Sequence, residues 1–169
     1  AAKLGGIDIV VANVSALAGD GTEEAWQKQF EVDIMHTVRT VNAAMPYLET
    51  SQAASIVAVS SVSGREVDFF AGSYGATKAA VIHYMHGLAV QLAPKSIRAN
   101  TVSPGNVYFK DGIWNSIEND NPDLFKAAID LNPTGRMATA EEIGRGIVFL
   151  ASPASSFTSG TNLVIDGAL

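Results

Sequence analysis

Four short runs rich in β-branched residues, set far apart, constrain this 169-residue chain more than any other feature. They are Ile7-Asp8-Ile9-Val10-Val11-Ala12, Ser55-Ile56-Val57-Ala58-Val59, Ile97-Arg98-Ala99-Asn100-Thr101-Val102 and Asn162-Leu163-Val164-Ile165. Near-continuous apolar runs of this length fit strands buried on both faces, as in parallel sheets. Helical patterns fill the intervals. Thr22 is the expected N-cap of the first, with Glu23 and Glu24 at the positive end of its dipole. Trp26, Phe30, Met35 and Val38 mark its apolar stripe; it is expected to reach about Leu48, with Pro46 kinking or fraying its last turn. A second helix is expected from about Ser73 to Leu92, and a small one from Pro122 to Leu131. A further helix starts at the capping box Thr139-Ala140-Glu141-Glu142 and carries Ile143, Ile147, Val148 and Leu150 inward.

The alternation of strand and helix predicts an α/β chain, one domain over residues 1–169, with about four parallel strands and helices on both faces. The stretch from Gly105 to Asn121 breaks the rhythm. With Tyr108, Phe109, Ile113 and Trp114 in it, it is expected to be a lid-like loop that folds over a ligand.

Composition removes several function classes. Lys and Arg number 11 against 17 Asp and Glu, a net charge of −6, and a non-specific nucleic-acid binder needs the opposite balance. There is no cysteine, which excludes a disulfide scaffold, thiol catalysis and thiolate zinc sites. No basic segment followed by an apolar core stands among the first residues, and Ile7 to Ala12 is far shorter than the ~20 residues that span a bilayer. The cytosol is the expected setting, with no membrane partner.

The chemistry concentrates between Val59 and Lys78. Tyr74 and Lys78 stand four residues apart, on one face of a helix. An ammonium beside a phenol favours the phenolate and is expected to lower its pKa from ~10. A tyrosine so tuned can donate a proton to a carbonyl under reduction or take one from an alcohol under oxidation. Ser61, in Ser60-Ser61-Val62-Ser63-Gly64, falls at the carboxyl end of a strand, where open α/β sheets bind ligands. Its hydroxyl could hold the substrate oxygen beside Tyr74. None of the three is a convincing nucleophile, and no Gly-x-Ser-x-Gly elbow marks a serine hydrolase.

With Ser61, Tyr74 thirteen residues on and Lys78 four further, the chain resembles the short-chain dehydrogenases/reductases. The resemblance extends through Asn100-Thr101-Val102-Ser103-Pro104-Gly105-Asn106-Val107, Pro133-Thr134-Gly135-Arg136 and Gly160-Thr161-Asn162-Leu163-Val164-Ile165-Asp166-Gly167. It implies a Rossmann-like sheet, an NAD or NADP cofactor, a small-molecule alcohol or carbonyl substrate, and a homodimer or homotetramer. It implies that Ser61 orients the substrate oxygen and that Tyr74 is the acid/base. Lys78 would lower the tyrosine pKa and bond the nicotinamide ribose. Asn13 matches one position of the family's Asn-Asn-Ala-Gly stretch, near the cofactor, and Pro104, Gly105 and Val107 would support the nicotinamide.

Four departures accompany the likeness. Ala12-Asn13-Val14-Ser15 keeps one position of that four-residue stretch. The family's fourth catalytic residue, an Asn, falls at Asp33, which has the shape of Asn without its amide donor; Asp33 serves if its backbone carbonyl and a water chain to Lys78 are what matter, and a proton relay through this position is weakened if the amide is needed. Phe109 stands where a Thr often follows the Pro-Gly turn. Finally, no credible glycine fingerprint for a pyrophosphate is found at Gly5-Gly6, Gly19-Asp20-Gly21 or Gly144-Arg145-Gly146. The sheet is therefore expected to be truncated, the catalytic and substrate half of a dinucleotide-binding fold, with the strand at Ile7 a bare edge. Such a chain is either a fragment of a longer enzyme or covers the edge by self-association, and a non-catalytic interaction module is the rival function. His83 and His86, three apart, are expected in a core or interface, and no metal site is expected.

Overall fold

The computed structural model describes residues 1, 3, 5–18, 21–68 and 72–169. Gly19 and Asp20, part of one glycine stretch considered above, lie outside the described residues. In chain order the elements are β1 (Ile9–Ala12), α1 (Glu23–Gln29), a π-helical segment (Phe30–Met35), α2 (His36–Leu48), β2 (Ser55–Val59), a 3-10 turn (Val62–Gly64) and α3 (Ser73–Leu92). Then follow β3 (Arg98–Pro104), β4 (Val107–Tyr108), α4 (Ile113–Asp120), α5 (Pro122–Leu131), β5 (Ala138–Thr139), α6 (Ala140–Ala151) and β6 (Asn162–Ile165).

The main sheet has the order β1-β2-β3-β6, with every pair parallel. Ile56, Val57 and Ala58 of β2 have no exposed surface, as expected of a central strand covered on both faces. On one face Val10, Ile56 and Ala58 pack with Val41, Leu48, Val81 and Met85 from α2 and α3. On the other, Val57 and Val102 meet Ile143 and Leu150 of α6. Each aliphatic side chain so buried contributes about 1.5–3 kcal/mol. The α/β parallel sheet of four strands is as expected, and β1 is an edge of it.

Four details differ from the sequence reading. The lid stretch is not all loop: α4 occupies Ile113–Asp120, and Trp114 is buried with Ala128 and Met137 in a small core of its own. Two-residue strands β4 and β5 pair in parallel, too short to register as a hydrophobic pattern. Val148 points outward, 65% exposed, because it lies off the stripe of Ile143 and Leu150.

The fourth concerns the first long helix. Trp26 and Phe30 are 43% and 48% exposed, and the buried face runs instead through Ala25, Gln29, Asp33, Thr37 and Val41. That face repeats every four residues, whereas an α-helix turns in 3.6 and would carry it out of the buried interior. The π-helical segment takes up the difference, with the His36 N–H donating to the carbonyl of Glu31, five residues back. The Thr37 hydroxyl donates to the carbonyl of Asp33 at 2.8 Å.

Local chemistry explains the helix starts. The Thr22 hydroxyl accepts the Ala25 N–H at 3.1 Å. At α6 the capping box is complete: Thr139 Oγ1 accepts the Glu142 N–H at 3.3 Å, and Glu142 Oε2 accepts the Thr139 N–H at 2.9 Å. The far end of α6 is tied down by Arg98, whose guanidinium donates to the carbonyls of Leu150, Ala151 and Ser152.

Candidate active site

The carboxyl ends of β1, β2 and β3 open into a cleft of about 280 Å³. Such ends are the usual ligand site of open parallel sheets. Ser61, Tyr74 and Lys78 all line it, and so do Asn13, Pro104, Gly105 and Val107. Phe109, Ile113 and Trp114 form its apolar wall. A larger cleft, about 480 Å³, lies around Ala54, Ile97 and Phe157 and contains none of these residues.

Each polar side chain is placed by a specific contact. The Ser60 N–H donates to the Val102 carbonyl at 2.8 Å, so the ladder holds until the chain leaves the sheet. The Ser60 hydroxyl donates to the carbonyl of Lys78 at 2.9 Å and clamps the turn to α3. Ser61 is extended (φ −163°, ψ 158°) and caps the 3-10 turn, its Oγ accepting the Ser63 N–H at 3.2 Å. The turn comes so close to α3 that a Cβ on Gly64 would stand 2.8 Å from Ala79 N and from the carbonyl carbon of Lys78. Only glycine fits there.

From α3, Tyr74 hydrogen-bonds the Ser61 side chain. Lys78 Nζ lies 5.5 Å from the Tyr74 ring centroid, 3.3 Å from the Val59 carbonyl and 2.9 Å from Asp33 Oδ2. The Lys78 and Asp33 side chains are 4% and 0% exposed. Their contact is ionic, outside hydrogen-bond alignment at Oδ2. Asp33 Oδ1 accepts the Ala16 N–H at 2.9 Å, which ties the π-helical segment to the segment after β1.

Burial pushes the Tyr74 phenol above its ordinary value near 10; the Ser61 hydrogen bond pulls it down, and the charges of Asp33 and Asp68 raise it further. This differs from the expectation that Lys78 lowers it. The reason is burial, the largest influence on the phenol, to which the carboxylate charges of Asp33 and Asp68 add.

The sequence reading gave no role to Ser60, Ser63 or Asp68. Two serines two residues apart in a tight turn are a recognisable signal, because such hydroxyls bond locally. For Asp68, which hydrogen-bonds Ser63, the spacing carried none. Among the described residues no group of three or more His, Cys, Asp or Glu could hold a metal, and no helix is long and apolar enough to cross a membrane.

The pattern of the family described as "Enoyl-(Acyl carrier protein) reductase" matches residues 1–169, the whole chain. The chain belongs to the short-chain dehydrogenase/reductase family. Among curated short-chain dehydrogenases/reductases, isoepoxydon dehydrogenase of Penicillium expansum is 41% identical over 172 residues, covering 100% of this chain and 66% of the relative. The NADP-dependent mannitol dehydrogenase of Hypocrea jecorina is 32% identical, covering 96% of this chain and 61% of that one. The chain thus spans about two thirds of the length of these relatives. A solved structure of ElxO with NADP bound superposes with a TM-score of 0.90 at 27% identity, covering 98% of this chain and 68% of that one. An NADPH-bound short-chain oxidoreductase from Pseudomonas aeruginosa PAO1, described as containing an atypical catalytic center, gives 0.84 at 30% identity, over 98% and 66% of the two chains.

Proposed function

We propose that this chain carries the proton-handling site of an NAD- or NADP-dependent oxidoreductase that interconverts a small-molecule alcohol and a carbonyl, with Tyr74 as the acid/base. The observation that carries this reading is the meeting of Ser61, from the turn after β2, with Tyr74 and Lys78 of α3 in one cleft at the strand ends. Ser61 holds the substrate oxygen next to the phenol. Tyr74, a phenol that carries its proton at pH 7, donates it to the oxygen of a carbonyl as it is reduced. In the reverse direction the phenolate takes the alcohol proton.

The donor set fits the nicotinamide half of a dinucleotide. An ammonium has three N–H donors; the Val59 carbonyl engages one at Lys78 while Asp33 holds the head by charge, so donor capacity remains for a ribose hydroxyl in the cleft. Asn13, Pro104, Gly105 and Val107 would flank the ring. The cofactor supplies the hydride. Asp33 fixes Lys78 by charge rather than by an amide. The 105–121 stretch, with α4 and Phe109, walls the substrate side as a lid and makes it apolar.

Titration with NADH and NADPH by fluorescence, followed by Tyr74→Phe, tests the reading. Saturation at micromolar cofactor and a loss of about 10²–10⁴-fold in turnover for Tyr74→Phe are expected; no binding up to millimolar cofactor overturns it in favour of a non-catalytic interaction module. The proposed assembly is a homodimer or homotetramer through the outer face of α3. Ala76, Ala79, Ala80, His83 and Val90 are exposed there, and no Asp, Glu, Lys or Arg occurs between Lys78 and Lys95. An uncharged face of this kind is self-complementary. Light scattering on Val90→Arg should then report monomers.

A further inference from the structure

The segment that leaves β1 carries a large side chain on a strained backbone. Leu17, Ser96, Asp111 and Ala168 have positive φ, and of these leucine is the bulkiest. At φ 49° its Cβ crowds the carbonyl oxygen that follows, which is why this region is left mostly to glycine, asparagine and aspartate. The residues on either side of it are held by buried side chains. Asp33 Oδ1 accepts the Ala16 N–H at 2.9 Å, and Gln29 Oε1 accepts the Ala18 N–H at 2.9 Å. The Ser73 hydroxyl donates to the Ala18 carbonyl at 2.8 Å. Gln29, Asp33 and Ser73 are all buried.

Strain of this kind persists only where the surroundings impose it, and such places cluster at ligand sites. The clamp does not bury Leu17. Its side chain is 56% exposed and lines the site cleft. Sheet order supplies the rest of the arrangement. β2 lies between β1 and β3, so the turn that carries Ser61 has the segment after β1 on one side and the segment after β3 on the other. Leu17 arrives from the first; Phe109 and Ile113 arrive from the second, 50% and 37% exposed. Apolar surface is thus left open on both sides of Ser61, where an apolar group of a ligand would cover it.

We propose that Leu17 is a specificity-determining residue: clamped through its neighbours by Gln29, Asp33 and Ser73, it limits the size of the apolar group that a substrate carries beside its carbonyl carbon. This rests on the reading of the cleft as the place where a carbonyl is reduced. A side chain whose backbone is tied on both sides cannot retreat from a bulky ligand, so its own volume sets the limit. Asp33 serves the clamp and the ammonium together, through Oδ1 at Ala16 and Oδ2 at Lys78. The wall and the charged group are therefore held in one frame.

The test is the binding of two rigid ketones, cyclohexanone and the bulkier 2-adamantanone. Binding is followed by NMR at the indole N–H of Trp114, which lines the cleft, in a Trp26→Phe background that leaves a single tryptophan. Oxidised NADP is titrated first and kept present, so that no turnover occurs. Leu17→Ala takes three carbons from the wall. It should raise the affinity for 2-adamantanone relative to cyclohexanone at least tenfold, since one methylene in an apolar pocket is worth about 10–200-fold. Leu17→Phe should shift the ratio the other way. Gln29→Leu and Ser73→Ala loosen the clamp and should move the ratio in the direction of Leu17→Ala, which a loss of stability alone does not do. A parental ratio in folded Leu17→Ala, or in both clamp variants, overturns the proposal, as does a parent whose Trp114 responds to neither ketone. A size switch in a protein that does not bind NADP keeps Leu17 as the wall and sinks the oxidoreductase reading; NADP binding beside an unchanged ratio does the reverse.

Discussion

Lys78 Nζ and Asp33 Oδ2 form an ion pair at 2.9 Å, from which solvent is almost wholly excluded. The pair joins α3 to the π-helical segment, so one contact couples the site to the packing of two long helices. Removing one partner of such a pair leaves an uncompensated buried charge, which costs about 3–5 kcal/mol. Asp33→Ala is therefore expected to lower stability by that amount in denaturant unfolding. Asp33→Asn keeps an acceptor for the Ala16 N–H and should cost less. It also removes a charge that raises the phenol and unmasks the ammonium, so the Tyr74 pKa should fall. Phenolate absorbance with a Tyr74→Phe background reads the shift; an unchanged or higher value would contradict the proposed balance of charges.

Tyr74 also makes stability depend on pH at the alkaline end. Its pKa is raised in the folded state, chiefly by burial. Between the unfolded value near 10 and the higher folded one, the unfolded chain binds fewer protons than the native chain, so stability falls as pH rises. Below that window the contribution is fully present. Tyr74→Phe should flatten this slope when Tm is followed from pH 9 upward. The remaining slope belongs in part to Tyr84, which burial raises in the same direction.

The start of α6 carries the opposite dependence. Glu142 is held at about 2 by the Arg136 guanidinium and the Thr139 N–H. Its contribution is present above the ordinary carboxylate range and is lost as pH falls through about 2. Glu142→Gln should shrink the acid limb of the stability curve between pH 4.5 and 2 while leaving the alkaline limb alone. Thr139→Ala removes the other half of the box and should cost about 1 kcal/mol at neutral pH.

Gly64→Ala tests the approach of the Ser61 turn to α3. The added methyl would meet backbone atoms at 2.8 Å, which cannot rotate aside. Overpacking of this kind costs about 1–3 kcal/mol. Displacing the turn should also lengthen the Ser61–Tyr74 contact, so turnover should drop further than stability alone explains. A variant with parental turnover would show that the turn absorbs the methyl without moving Ser61.

The sheet was legible because its evidence is local. Four apolar runs and one capping box need no partner to be read, and Tyr74 with Lys78 needs only helical spacing. What the sequence concealed depends on pairs brought together from far apart. The spacing of Asp33 from Lys78 says nothing of 2.9 Å, and burial of the phenol, which only the folded chain supplies, reversed the expected direction of the Tyr74 shift. The stripe through Trp26 and Phe30 misled for a different reason: it assumed a uniform helical period where the chain changes period. Within the presumed lid, α4 was hidden because its inward Trp114 packs on α5 and Met137 rather than on the main core.

The π-helical segment makes the first long helix a splice of two pieces held in phase by one wide turn. Ala25 and Gln29 upstream and Thr37 and Val41 downstream all stay buried only while that turn is kept. Losing one residue between Phe30 and Met35 would swing everything upstream by about 100° and carry Asp33 off the axis of Lys78. Exchange of segments between this chain and its relatives must therefore preserve the length of that turn before it preserves any side chain in it.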